Sequence, residues 1–74
     1  QDVRLYGTTL EANQSLEIPF EADRYGWIQL VSGSLAVGEE TLDAGDGLAL
    51  TDPGTLRVRS IGESDAVFLT FDLS

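Results

Sequence analysis

Apolar and polar residues alternate with a period of two over short runs, and a break containing Gly, Pro, Asp or Asn ends each run before a helical stripe can develop. Successive side chains on a strand point to opposite faces, so this pattern builds sheets. It predicts strands from Val3 to Thr9, Ser15 to Pro19, Tyr25 to Val31, Leu35 to Val37, a short return beginning at Thr41-Leu42, and then Leu48 to Leu50, Leu56 to Ser60 and Ala66 to Asp72. Eight or nine short strands separated by turns describe an all-β chain, a small sandwich or barrel of jelly-roll type.

The faces follow from the same period. In Tyr25 to Val31, Trp27, Gln29 and Val31 face one way, and Ile28 and Leu30 the other. Near the end of the chain Val67, Leu69 and Phe71 share one side, with Phe68 and Thr70 opposite, while Leu56, Val58 and Ser60 alternate with Arg57 and Arg59. Ser32-Gly33 interrupts the third run, and its shortness suggests that the strands on either side pair antiparallel. Asp43-Ala44-Gly45-Asp46-Gly47 and Asp52-Pro53-Gly54 read as turns, because glycine accepts positive φ and proline cannot donate to a ladder.

Size makes the core thin. For 74 residues and 8.0 kDa area scaling gives about 4,500 Å² of folded surface against about 11,600 Å² unfolded, so only about 60% is hidden on folding. One domain over residues 1–74 is the expectation, with docking onto a partner a natural way to extend its burial. The chain begins at Gln1 without a charged leader or a long apolar run, which reads as an excised or processed domain in the cytoplasm and away from membranes.

Composition removes classes of chemistry. With no Cys and no His, a disulfide framework, a thiolate nucleophile, a zinc knuckle and an imidazole base are all excluded. Thirteen acidic residues against four arginines and no lysine give a net charge of -9, which opposes binding to a nucleic-acid backbone. The lysine absence fits a saline or an arginine-biased proteome equally.

The remaining side chains offer few sites. Asp43, Asp46 and Asp52 could supply oxygen ligands to calcium, but their spacing is not that of an EF-hand loop and the glycines already explain a solvated turn. Glu39-Glu40, and Glu17 with Glu21, supply carboxylates that nothing in the sequence sets across a substrate. Ser32, Ser34 and the threonines have no imidazole or lysine to activate them. Gly45-Asp46-Gly47 lacks the lysine of a phosphate loop, and Asn13-Gln14-Ser15 reads as a turn rather than a glycosylation acceptor. No catalytic residue, metal ligand or cofactor is therefore assigned. Arg24, Trp27, Arg57 and Arg59 are the candidate ligand-binding set: Arg57 and Arg59 share a strand face and could clamp a carboxylate. Their plainer roles are surface ion pairs and, for Trp27, packing.

Three stretches together resemble a known family: Tyr25-Gly-Trp-Ile-Gln-Leu-Val-Ser-Gly-Ser-Leu, Asp43-Ala-Gly-Asp-Gly-Leu-Ala-Leu-Thr-Asp and Ala66-Val-Phe-Leu-Thr-Phe-Asp-Leu are similar to the C-terminal cupin domain of bacterial pirin-like, quercetin 2,3-dioxygenase-like bicupins. The resemblance implies a small cupin-type jelly-roll barrel whose partner is an N-terminal cupin domain. In that family the N-terminal half carries the metal and the oxidation of flavonols such as quercetin, and the C-terminal half is commonly metal-free. Set on the general cupin pattern, Gly33 matches the glycine of the first motif. Its glutamate then falls at Gly26, its histidines near Phe20 and Ala22, and the histidine of the second motif at Leu48. These degenerate positions cannot hold a metal, and a one-residue slip that brings Glu21 to the first site would add only one carboxylate. The implied role is structural, with close-packed side chains at all four positions. The alternatives are a small-ligand-binding barrel, or an enzyme whose active site lies in an N-terminal half. In isolation the exposed surface would favour a homodimer.

Overall fold

The computed structural model describes residues 2–74; Gln1, on which the reading of a processed chain rests, lies outside them. Eight strands follow one another: β1 (Val3–Leu10), β2 (Ser15–Pro19), β3 (Tyr25–Ser32), β4 (Ser34–Val37), β5 (Glu40–Asp43), β6 (Gly47–Thr51), β7 (Thr55–Ser60) and β8 (Ala66–Leu73). They form two four-stranded sheets of order β1-β8-β3-β6 and β2-β7-β4-β5, and every pairing is antiparallel. The two-residue period thus placed all eight strands, with ends shifted by a residue or two. The accessible surface, 4460 Å², is that of a fully collapsed chain of this mass.

The expected pairing of the third and fourth strands does not form. β3 lies between β8 and β6 in one sheet, and β4 between β7 and β5 in the other. Gly33 makes the difference: its φ of 84° lies in the left-handed region, and a Cβ there would stand 2.5 Å from the Asp65 carbonyl oxygen. The backbone therefore leaves the first sheet pressed against the start of β8 instead of turning back as a hairpin. Only the β4–β5 connection stays within a sheet.

Between the sheets lies a core of Leu10, Ile28, Leu30, Leu35, Val37, Leu42, Val58, Ala66 and Phe68, with Ile18, Leu48, Leu50 and Leu56 packed at its edges. Burying each of the Leu, Ile, Val and Phe side chains contributes roughly 1.5–3 kcal/mol. β1 and β2 are the edge strands on one side and are not paired with each other. The interior is open there.

Candidate functional site

The degenerate cupin positions converge only in part. Phe20, just past the end of β2, is buried and Gly26 is buried in β3. A Cβ at position 26 would lie 3.0 Å from Phe20 Cε2, 3.1 Å from Phe20 Cζ and 3.1 Å from Leu50 Cδ1. The aromatic ring thus occupies the room that a larger residue at 26 would need. Leu48 pairs with Ile28 on the inner face, but the neighbour of Gly26 across the sheet is Leu50. Ala22, expected to be packed with the others, is exposed in the turn before β3, where no inward-facing strand position exists. Glu21 points to solvent and meets Arg4 at 3.5 Å. Phe20, Ala22, Gly26 and Leu48 all carry no donor atom beyond the backbone, and among the described residues no group of three or more His, Cys, Asp or Glu could hold a metal ion. The four-ligand cupin site does not fit these residues.

The proposed arginine and tryptophan cluster is dispersed by the register. Arg57 and Arg59 project from the outer face of the second sheet, opposite Glu17 and Ser15, and Arg57 meets Glu17 at 3.7 Å. Trp27 stands on the outer face of the first sheet, in register with Phe71 and Ala49. The sandwich separates them. The aspartates of the turns divide similarly: Asp46 accepts from the Asp43 amide at 2.9 Å, whereas Asp52 accepts from the Asp23 amide at 3.0 Å at the far end of β6.

Arg24 does something else. It is 9% exposed and Asp72 6%, and its Nε donates to Asp72 Oδ1 at 2.6 Å while Nη2 donates to the Asp72 carbonyl at 3.2 Å. Asp2 lies 3.6 Å from Arg24 and 3.3 Å from Arg4. Asp2 first, then Glu21, hold the Arg4 guanidinium above its ordinary pKa, so Arg4 keeps its charge at any working pH. Asp72 occupies an inward strand position that period-two counting from Phe68 and Thr70 reaches. What sequence reading lacks is the partner, since Arg24 sits 48 residues away.

The outer face of the first sheet is the largest departure from a solvated surface. Two rows cross all four of its strands: Val3, Leu73, Tyr25 and Thr51, and beside them Leu5, Phe71, Trp27 and Ala49. A third row, Gly7, Leu69, Gln29 and Gly47, carries no charge either. Leu5 is 56% exposed and Trp27 37%. The Trp27 ring lies over Gly47, where a Cβ would collide with it. Its Nε1 donates to Gln29 Oε1 at 3.1 Å, and the Gln29 amide donates in turn to the Gly45 and Asp46 carbonyls. The ring is therefore held before anything lands on it. By contrast, the second sheet turns Ser15, Glu17, Arg57, Arg59, Thr41 and Asp43 outward. These rows form a contiguous apolar patch without charge, in a chain with 13 acidic residues.

Residues 1–73 match the profile described as "Quercetinase C-terminal cupin domain". The chain belongs to this family. As a quercetinase C-terminal cupin domain it is 40% identical over 75 residues to a protein of Pasteurella multocida, covering 99% of this chain and 31% of that protein. It is 32% identical over 73 residues to the quercetin 2,3-dioxygenase of Escherichia coli K12, again covering 99% and 31%. The bacterial pirin YhhW from Escherichia coli, crystallised with nickel(II), superposes with a TM-score of 0.90 at 32% identity, over 99% of this chain and 31% of that one. The cupin domain described here thus spans about a third of the length of these relatives. Among its described residues no helix is long and apolar enough to cross a membrane.

Proposed function

We propose that residues 1–74 form a single, non-catalytic cupin domain, with its two sheets as the halves of a small jelly-roll barrel, and that it serves as the C-terminal half of a longer quercetinase-like bicupin. In this reading the metal and any quercetin dioxygenase chemistry belong to an N-terminal cupin domain in the cytoplasm. The C-terminal domain docks against that half through the outer face of the β1-β8-β3-β6 sheet. The carrying observation is the uncharged apolar face with its fixed Trp27, since an exposed aromatic anchor already held in one rotamer loses little entropy on docking. The absence of donors at Phe20, Gly26 and Leu48 supports the non-catalytic half of the reading.

The test is made in the longer protein. Leu5→Glu and Trp27→Glu change positions that are more than a third exposed in this domain, so the sheet itself tolerates them. Calorimetry is expected to turn one cooperative unfolding transition into two, with the metal content of the N-terminal half retained. A single transition at the parent temperature for both variants overturns the docking face. In the isolated chain the same face offers itself to a second copy, giving a homodimer that both substitutions dissolve.

A further inference from the structure

Along the unpaired edges of β1 and β2 the sandwich opens into a cavity of about 600 Å³, within the range of small-molecule sites. Its walls differ sharply. Leu16, Ile18 and the Phe20 ring line one side, and they give an apolar body something to pack against. On the other side stand Thr70 and Asp72 of β8, with Tyr6 and Arg4 of β1 beside them. Thr70 is 2% exposed and, among the described residues, its hydroxyl oxygen has no hydrogen-bond partner. Such a group is costly unless something satisfies it, and Thr70 borders the cavity. Asp72 uses Oδ1 for Arg24, while among the described residues Oδ2 meets only Arg4, at 4.0 Å.

We propose that this cavity is a binding site for a small uncharged molecule with an apolar ring and a hydroxyl group. The ring packs on Ile18 and Phe20, and the hydroxyl pairs with Thr70 and donates to Asp72 Oδ2. Charge selects against anions: Asp72 and Glu21 border the space, and Arg4 is already held by Asp2 and Glu21. A cation meets Arg4 at the mouth. The site lies on the inner side of the first sheet, so it stands independently of the docking face outside.

The experiment uses the 74-residue chain, isotope-labelled, with 2-naphthol as probe and naphthalene-2-sulfonate as the anionic control. Saturable binding is expected, with magnetisation transfer from the naphthol ring to the Leu16 and Ile18 methyls and the Phe20 ring. Thr70→Val, which keeps the shape and removes the hydroxyl, is expected to weaken binding about five-fold. Thr70→Ser is expected to retain it, and the sulfonate to bind far more weakly. Leu16→Glu, at a half-exposed position on the rim, puts charge in the opening and is expected to abolish binding without touching Thr70. Transfer only to Leu5 and Trp27, equal affinity in Thr70→Val, equal affinity for the sulfonate, or no saturable binding each overturns the proposal.

Discussion

The Phe20 ring stands 3.0 Å from where a side chain at Gly26 would begin, so two positions that carry ligands in the general cupin pattern are here fitted to each other. One is enlarged and the other reduced to hydrogen. Changing either alone disturbs the packing of both. The pair is a packing unit where the pattern has a coordination site.

That relationship is measurable as coupling. Gly26→Val is expected to destabilise the chain by about 1–3 kcal/mol, the usual cost of overpacking. With Phe20→Ala already present the added cost is expected to fall by about 1 kcal/mol or more. Urea unfolding of the four proteins of the cycle gives the number; strict additivity would show that ring and glycine do not share the space.

The Arg24–Asp72 pair leads to an asymmetric expectation. Removing one partner, as in Asp72→Ala, leaves the buried guanidinium with only the more exposed Asp2 carboxylate, at 3.6 Å, and is expected to cost about 3–5 kcal/mol. Replacing both by leucine avoids the unpaired charge, so the double variant is expected to unfold at a higher temperature than either single one. Thermal unfolding by circular dichroism ranks the three.

Gly33 carries the crossing between the sheets, with φ at 84° and the Asp65 carbonyl against its open side. Gly33→Ala is expected to cost more than about 1 kcal/mol, since the backbone conformation and the space both refuse a methyl group. Gly38, also at positive φ but with nothing within 4 Å of its missing Cβ, is expected to lose less on the same change. Denaturant midpoints of the two variants compare them.

Gly47 sets the Trp27 ring in place. Gly47→Ala pushes the indole off β6, and its emission is expected to move to longer wavelength as the ring enters water. The same change is expected to weaken docking in the longer protein while leaving the fold of this domain intact. An unshifted emission spectrum argues that the ring is held by Gln29 alone.

Much of this was legible in the sequence. Strict alternation in Tyr25 to Val31 and in Ala66 to Asp72 assigned both faces correctly, because the side-chain period of a strand is fixed by geometry. What alternation leaves open is which face is the inner one. In β8 the more apolar set, Val67, Leu69 and Phe71, turns outward, and the set containing Thr70 and Asp72 turns in. The inversion is physically consistent because Asp72 meets Arg24 inside and because the outer set forms a continuous face with Leu5 and Trp27. Both facts are long-range. The β3–β4 connection failed for a related reason: Ser32-Gly33 is short enough for a hairpin, and only the approach of Asp65 makes it a crossing. Arg57 and Arg59 share one face, but the sheet to which that face belongs lies across the sandwich from Trp27.

Side-chain oxidation by hydroxyl radicals, read residue by residue in the 74-residue chain and in the longer protein, addresses the docking role most directly. The account predicts that Trp27, Tyr25 and Leu5 are oxidised readily in the chain alone, kept dilute enough to be monomeric, and are strongly protected in the longer protein, while Arg57 and Arg59 on the opposite sheet change little. Equal oxidation of Trp27 and Leu5 in the two proteins would contradict it.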